Sequence, residues 1–308
     1  MTQDALLRAA KTLQALPHYG VLKSLQRLGG LTNEVFRAET DRGVFCLRLP
    51  GKGTQDYINR AHEAQAARET ARVGVSAPVI HFDAATGLSL TGFLEGAVTM
   101  TPRLFAERAG APARAGQALR RLHGSDAVFA SRFEPFAMID SYVRVLEAKH
   151  ADFPDGFRET MQAASAIRAA LAAQPLPLAP CHCDPLSENF LDTGERMWIV
   201  DWEYSGMNDP LWDIGDFCVE AELTVLAETD LLAAYFAAAP TPAERGRILV
   251  YKAMCDLFWA LWGLIQHANN NPVDDFRAYG LNRLARCGAL MASAGFAQAV
   301  GNIAVAGR

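Results

Sequence analysis

Residues 181–190 read CHCDPLSENF, which places two cysteines, a histidine and Asp184 side by side and follows them with Asn189. Four potential metal ligands in a row suggest a zinc site. The same letters also fit the spacing H-x-D-x-x-x-x-N, which is typical of phosphoryl transfer. The two interpretations predict different chemistry, and the rest of the sequence decides between them.

A zinc site here would need Cys181, His182 and Cys183 to converge on one ion. Adjacent residues of an extended chain point to opposite faces, so at most the two cysteines could bind the same ion. The sequence has no second C-x-x-C or H-x-x-x-H pair that would complete the ligand set. The residues therefore disfavour zinc, and they predict that the cysteines are buried while His182 braces the loop.

The phosphoryl-transfer interpretation uses the hairpin that follows. Asp184 and Asn189 lie on a predicted loop entering the strand 189–192, and Asp201 ends the next strand, 197–202. A hairpin would bring the three side chains to one rim, where their oxygen atoms suit a hard cation such as Mg²⁺. Asp184 would deprotonate an acceptor hydroxyl, while Asn189 and Asp201 hold Mg²⁺ on the phosphates. A polar loop in which these residues only cap turns is the structural alternative.

Hydrophobic periodicity predicts an α+β fold with two lobes. The first third combines one helix with β-branched and aromatic runs, predicted as strands at 35–39, 44–50, 78–83 and 88–96 and a helix at 56–73. The remainder is mainly helical, with helices predicted at 103–123, 137–150, 157–173, 216–238, 242–268 and 275–292. We expect a β-rich lobe over residues 1–95 and a larger helical lobe over 96–308.

Composition excludes several classes of partner. The net charge is −5 and no basic run appears, so a nucleic-acid partner is not expected. The N-terminus lacks the apolar core of a secretory signal, and the six scattered cysteines are typical of free thiols in a reducing compartment. The uncharged stretch 288–307 is rich in Ala and Gly, which favours a packed terminal helix or turn over a membrane span. A cytoplasmic location without a membrane partner is predicted.

Aromatic spacing predicts where an acceptor could bind. Trp259 and Trp262 are three residues apart on one helix, as are Phe276 and Tyr279 on the next, and Tyr204 follows Asp201 closely. Such faces could enclose a quaternary ammonium group by cation–π attraction. Two acidic residues, Asp216 and Glu220, could balance the charge. Ordinary core packing of the tryptophans is the alternative.

Four segments carry a resemblance to a known family: CHCDPLSENF, IVDWEYSGMNDPLWDIGDF, LGGLTNEVFRAE and CLRLPG. They are similar to the choline/ethanolamine kinase family, within the aminoglycoside-phosphotransferase-like, protein-kinase-like fold. The resemblance extends from about residue 25 to 290, and its C-terminal motifs are the more specific ones. It implies the same two-lobed architecture that the periodicity predicts.

The resemblance also implies roles for individual residues. In the N-terminal part it implies a nucleotide site with a phosphate-covering loop, a phosphate-pairing arginine with its carboxylate partner, and a hinge that meets adenine: Gly29, Gly30, Thr32, Asn33, Arg48, Glu63 and Phe93. Glu203, beside Asp201, joins the candidate metal ligands. Tyr204, Glu220, Trp259 and Trp262 align with the family's amino-alcohol pocket.

These residues together predict an ATP- and Mg²⁺-dependent transferase that phosphorylates the hydroxyl of choline, a small-molecule acceptor, and releases ADP. Ethanolamine, a methylated ethanolamine, thiamine or an aminoglycoside are alternative acceptors for the same fold. A pseudokinase that binds a quaternary amine without chemistry is a non-enzymatic alternative, which the presence of Asp184, Asn189 and Asp201 disfavours. A homodimer is compatible with the resemblance.

Overall fold

The computed structural model describes residues 3–16, 19–28, 33–51, 58–236 and 238–305. Within these ranges a small antiparallel sheet with two helices is followed by a mainly helical part, which confirms the predicted α+β, two-lobed class. Gly29, Gly30 and Thr32 lie outside the described residues, as do the first two residues of the predicted helix 56–73.

The N-terminal sheet has five antiparallel strands in the order β1-β2-β3-β5-β4. The strands are β1 (Leu22–Arg27), β2 (Glu34–Thr40), β3 (Gly43–Leu49), β4 (Val79–Phe82) and β5 (Ser89–Gly92). One face of the sheet buries Phe36, Ala38, Leu47 and Leu90 against α1 (Gln3–Ala15), a helix that the sequence patterns did not predict. The helix supplies Ala5, Ala9 and Leu13 to this core, so its apolar stripe packs on the sheet.

Helix α2 (Arg60–Arg72) connects β3 with β4 and carries Glu63 in its first turn. It begins after Asn59, whose side chain accepts hydrogen bonds from the Ala61 and His62 amides and so satisfies two of the free donors at the helix start. This cap fixes the position of Glu63, which is buried, with respect to the strand that carries Arg48.

The remaining elements form the helical part. Its helices are α3 (Pro102–Glu107), α4 (Ala111–His123), α5 (Pro135–Ala148), α6 (Phe157–Ala173), α7 (Leu211–Glu220), α8 (Val225–Phe236), α9 (Pro242–Ala268), α10 (Phe276–Met291) and α11 (Phe296–Val305). Its short strands are β6 (Val98–Thr99), β7 (Ala179–Cys181), β8 (Phe190–Asp192), β9 (Met197–Ile199) and β10 (Gly206–Asn208). The hairpin β8–β9 is the one predicted from residues 189–202, and β6 pairs with its outer edge.

Two predicted helices are each divided in the structure. The helix predicted at 103–123 is interrupted at Gly110, whose φ of 71° is left-handed and begins a second helix. The prediction of a single helix over 216–238 is wrong both in where the helix starts and in its continuity. It begins at Leu211, directly after Pro210, and it is broken where Glu222 takes a φ of 48°. Pro210 marks this start, because proline is favoured where a helix begins.

The core of the helical part surrounds α9, which packs against α5, α7, α10 and α11. This helix is long and apolar enough to span a bilayer, but most of its apolar stretch is buried inside the protein, as in a core helix. The described part of 288–307 comprises the end of α10 and α11, and α11 buries Phe296 and Ile303. The predicted packed terminal helix is thus present. The lobe boundary at residue 95 stays a proposal; β5 ends at Gly92, and β6 pairs with β8.

Candidate active site

The loop that carries Asp184 is held in place by Asp213 of α7. The Asp213 carboxylate accepts hydrogen bonds from the backbone N–H groups of His182 (2.7 Å) and Cys183 (2.8 Å). Cys183 has a φ of 67°, a conformation that costs energy for a non-glycine residue and that these bonds offset. Asp213 thus fixes the entry to the loop, a role that the sequence motifs did not indicate. An aspartate inside the apolar run LWDIGDF was the available signal.

The same carboxylate is connected to two more distant side chains. His123, at the end of α4, lies 3.0 Å from Asp213 Oδ2 through Nε2, and its Nδ1 lies 2.8 Å from the Tyr235 hydroxyl of α8. Three helices therefore fix Asp213 through one hydrogen-bonded chain, and a single rotamer of this buried aspartate is favoured.

The side chains of residues 181–183 contact backbone carbonyl oxygens of neighbouring segments and so have structural roles. Cys181 and Cys183 are buried and point to the carbonyl oxygens of Asn208 and Gly206. His182 Nε2 donates to Val200 O at 2.9 Å, and its Nδ1 accepts from the Asp184 amide at 3.3 Å. The histidine thus braces the loop against the strand that leads to Asp201, as predicted. All six cysteines are free thiols.

Asn189 is oriented by the Asp184 backbone. Its Nδ2 donates to Asp184 O at 3.0 Å, which leaves the amide oxygen available as a ligand. The Val200 amide donates to Asn189 O at 2.9 Å, so Asp201 follows immediately after a residue paired with Asn189. The structure therefore brings Asp184, Asn189 and Asp201 to one rim, as the hairpin predicted.

Asp201 faces a group of carboxylates and arginines shared by both lobes. Oxygen atoms of Glu63, Asp201 and Glu203 lie within 4.8 Å of one another. Burial and the charge of Glu203 raise the pKa of Asp201 to about 7, although Arg48 acts in the opposite direction. A cation would relieve this repulsion, and a set of carboxylate and amide oxygens fits a hard ion such as Mg²⁺ rather than zinc.

Arg48 is at the centre of this group. Its guanidinium bonds to Glu63 through Nη2 and to Asp201 Oδ1 through Nη1 at 3.0 Å. The predicted arginine–carboxylate pair is therefore present. Arg60, which the sequence analysis did not identify, bonds to Glu63 at 2.6 Å and to Glu203 at 2.7 Å. Arg48 and Arg60 thus connect Glu63 of α2 with the candidate metal ligands Asp201 and Glu203 of the C-terminal part.

Two further residues that are predicted to bind the nucleotide form hydrogen bonds within the protein. Asn33 donates to Glu203 Oε1 at 3.1 Å and accepts from the Gly51 amide at 3.1 Å. The Phe93 amide donates to Val44 O at 3.2 Å. That donor is engaged, so a contact with adenine would use other backbone groups of the predicted hinge, residues 91–96. The nucleotide roles of Asn33 and Phe93 stay predictions.

Five aromatic rings form a continuous series beside the loop that carries Asp184. Their edge-to-face contacts have centroid distances of 5.5 Å for Tyr204–Trp259, 5.9 Å for Trp259–Trp262, 5.5 Å for Trp262–Phe276 and 6.2 Å for Trp262–Tyr279. Trp259 is buried, in agreement with the core alternative, whereas the other four rings are half-buried. The series therefore consists of one buried ring, that of Trp259, and four rings that are partly accessible.

Acidic groups lie next to these rings. Burial and the charges of Asp216 and Glu220 raise the pKa of Asp184 well above its ordinary value. The Ser187 hydroxyl of the loop donates to the Glu220 carbonyl oxygen at 3.3 Å, so the C-terminal end of α7 lies against the loop. Glu220 is paired with Arg283 of α10 and Asp216 with the thiol of Cys255, two partners that the sequence patterns did not indicate.

Comparison with known proteins defines the class. Residues 24–251 match the model of the phosphotransferase enzyme family. The structure of a choline/ethanolamine kinase family protein from Mesorhizobium loti is 57% identical, covers 96% of this chain and 98% of its own, and has a TM-score of 0.90. Protein LicA of Haemophilus influenzae is 30% identical over 82% of this chain and 96% of its own length. Choline kinase LicA from Streptococcus pneumoniae is 26% identical, covers 95% and 100%, and has a TM-score of 0.76.

The fold and the site thus define a phosphotransferase of the kinase-like class. The chain belongs to the phosphotransferase enzyme family, and its relatives confirm the resemblance to the choline/ethanolamine kinase group. It is accordingly a nucleotide-dependent kinase for a small alcohol.

Proposed function

We propose that this protein transfers the γ-phosphoryl group of ATP to the hydroxyl of choline, giving phosphocholine and ADP. The aromatic series beside Asp184 is the observation that carries the choice of acceptor. A quaternary ammonium has no N–H to donate and is recognised through cation–π contact with aromatic faces. Relatives named as choline kinases support the same choice.

Asp184 is proposed as the base that accepts the proton of the acceptor hydroxyl. Its raised pKa favours the protonated form in the free enzyme. A cationic acceptor bound nearby stabilises the ionised carboxylate, so that the base is generated together with its substrate. Proton transfer and positioning of the hydroxyl both act mainly in the transition state.

Asn189, Asp201 and Glu203 are proposed to hold Mg²⁺. When bound, the ion neutralises charge on the nucleotide phosphates and orients them. Arg48 would contact the phosphates while Glu63 fixes its guanidinium, as the ion pair between them already does in this structure. Because Arg48 also bonds to Asp201, a bound ion and nucleotide would redistribute these contacts.

Ethanolamine is the second candidate acceptor. One oxygen of the buried Asp216 carboxylate has no hydrogen-bond partner among the described residues, and a primary ammonium could donate to it. A screen of choline, ethanolamine, its methylated forms, thiamine and an aminoglycoside by coupled ADP release would compare kcat/KM values. Choline should have the highest value; an equal or higher value for ethanolamine would overturn the choice, and ATP binding without release of ADP would favour a pseudokinase.

Trp262→Ala should raise the KM for choline about 3- to 30-fold with little change in kcat, because one face of the cation site is removed. Steady-state kinetics with thermal unfolding checks this. Trp198→Ala is the matched control, since Trp198 packs under Arg196 in the β8–β9 hairpin and should leave the KM unchanged. A lower Tm with an unaltered KM would mean that Trp262 serves only the core.

The division of labour between the lobes, the location and the oligomeric state are proposals as well. We assign nucleotide binding to residues 1–95 and the catalytic loop, metal site and acceptor pocket to residues 96–308. A cytoplasmic location and a homodimer are proposed on the composition and the family resemblance alone.

A further inference from the structure

The aromatic series and the acidic residues next to it are called the acceptor region here. Of its carboxylates, one is ion-paired with an arginine and one is not. Glu220 is bonded to both terminal nitrogens of Arg283, with a 2.8 Å contact between Nη2 and Oε2. Arg283 also lies 3.3 Å from Asp256, which in turn lies 3.3 Å from Arg286. Two carboxylates and two guanidinium groups thus balance one another, and the charge of Glu220 is already compensated by the protein.

Asp216 is compensated less directly, because Arg283 acts on it only from a distance and without an ion pair. It is fully buried on α7, one turn before Glu220, and it forms no ion pair with any described residue. Its Oδ1 accepts a hydrogen bond from the Cys255 thiol at 2.6 Å, whereas Oδ2 is buried without a partner in the described part of the chain. A buried carboxylate that lacks a cation and one of its hydrogen bonds is costly, and native proteins rarely keep one without a use.

The open oxygen belongs to the wall of the acceptor region. Cys255 and Trp259 are one turn apart on α9, and the Trp259 Nε1 is likewise buried without a described partner. The end of α7 that follows Asp216 packs against the catalytic loop, where the Ser187 hydroxyl donates to the Glu220 carbonyl oxygen at 3.3 Å. The acceptor left open on α7 and the donor left open on α9 therefore lie near the catalytic loop, where the charge of a bound cation would balance the carboxylate.

On this geometry, and resting on the proposed function, we propose that Asp216 rather than Glu220 is the specificity-determining residue that supplies the counter-charge to a cationic acceptor. Arg283 removes Glu220 from this role. The site would accordingly accept alcohols that carry an ammonium group and discriminate against neutral alcohols of the same shape.

A metal ion is an alternative occupant, since oxygen and sulfur atoms of Asp216, Glu220 and Cys255 lie within 4.8 Å of one another. Burial and the two carboxylates raise the pKa of the Cys255 thiol well above its ordinary value, and the thiol donates to Asp216 Oδ1. A soft ion would need the thiolate. An organic cation requires no such deprotonation.

The electrostatic surroundings agree with this role. Burial, followed by the charge of Glu220, raises the pKa of Asp216, and the charge of Asp213 has the same sign; Cys255 and Arg283 act in the opposite direction. An incoming cation would favour the ionised carboxylate and strengthen its own binding.

The test measures binding rather than turnover, by calorimetric titration with choline and with its neutral isostere, in which a tert-butyl group replaces the trimethylammonium. The ratio of the two Kd values is compared between the wild type and Asp216→Asn, which keeps an oxygen for Cys255 but loses the charge. We expect the preference for the cation to fall about 10- to 100-fold, the range of a charge-assisted contact.

Glu228→Gln is the control, because Glu228 is a half-buried carboxylate that pairs with Lys252 and lies outside the group of charges around Arg283. It should keep the wild-type ratio. Asp216→Ser removes the same charge with a smaller side chain and serves if the carboxamide variant unfolds. An unchanged ratio in the Asp216 variants, or an equal loss in Glu228→Gln, would overturn the inference.

The same titrations separate this inference from the proposed function. Choline binding that depends on Asp216 without any turnover would sink the kinase proposal and leave the role of Asp216 intact. Choline turnover with an unchanged cation preference in Asp216→Asn would support the kinase proposal and overturn the role of Asp216.

Discussion

Asp184→Asn should lower kcat for choline phosphorylation by about 10²- to 10⁴-fold, the usual contribution of a positioned general base. The carboxamide cannot accept the hydroxyl proton, yet it has nearly the same size. The backbone contacts of the loop involve the His182 and Cys183 amides and the Asp184 carbonyl, so they do not require the Asp184 carboxylate. The KM for ATP should therefore change little, because the nucleotide does not depend on this side chain.

Steady-state kinetics with saturating ATP measures this effect, with thermal unfolding as a check on the fold. Glu188→Gln is the matched control: it removes an exposed carboxylate from the same loop and should retain wild-type kcat. A kcat for Asp184→Asn within tenfold of the wild type would exclude Asp184 as the base.

Asp201→Asn should lower kcat/KM by about 10²- to 10³-fold, comparable with the loss of one preorganised electrostatic contact in other enzymes. The variant loses the charged ligand that pairs with Asn189 at the rim. Arg48 keeps its bond to Glu63, so the N-terminal part should remain intact. In addition, stabilisation by ADP in the presence of Mg²⁺ should shrink, since a ligand that binds the folded protein more weakly raises Tm less.

Thermal unfolding with ADP, with and without Mg²⁺, separates metal binding from nucleotide binding. Glu195→Gln, in the exposed turn between β8 and β9, is the control and should show the full Mg²⁺-dependent shift. If Asp201→Asn kept that shift and lost activity only, Asp201 would act without holding the ion.

The rim formed by Asp184, Asn189 and Asp201 could be predicted because its geometry is local. Asp184, Asn189 and Asp201 lie within one loop and one hairpin, where strand alternation and a short turn determine which side chains meet. Arg48 and Glu63 were found only through the family resemblance. Their pairing depends on the cap at Asn59, which sets the first turn of α2 against β3.

The supporting residues could not be predicted, because each acts across a long sequence separation. Asp213 fixes the loop from a helix 30 residues away, and its partner His123 lies 90 residues before it. Arg60 and Arg283 look like solvated helix residues in the sequence, and only the folded chain buries them against carboxylates. The position of α7 was wrong in the sequence analysis for a local reason, since Pro210 was not used as a helix start.

The central claim is that the chain transfers phosphate to choline, and phosphorus NMR of wild-type protein with ATP, Mg²⁺ and choline tests it most directly. We predict a phosphomonoester signal that matches phosphocholine, grows together with ADP, and is absent without choline and strongly reduced in Asp184→Asn. Release of orthophosphate alone, or ADP formation that ignores choline, would contradict the account.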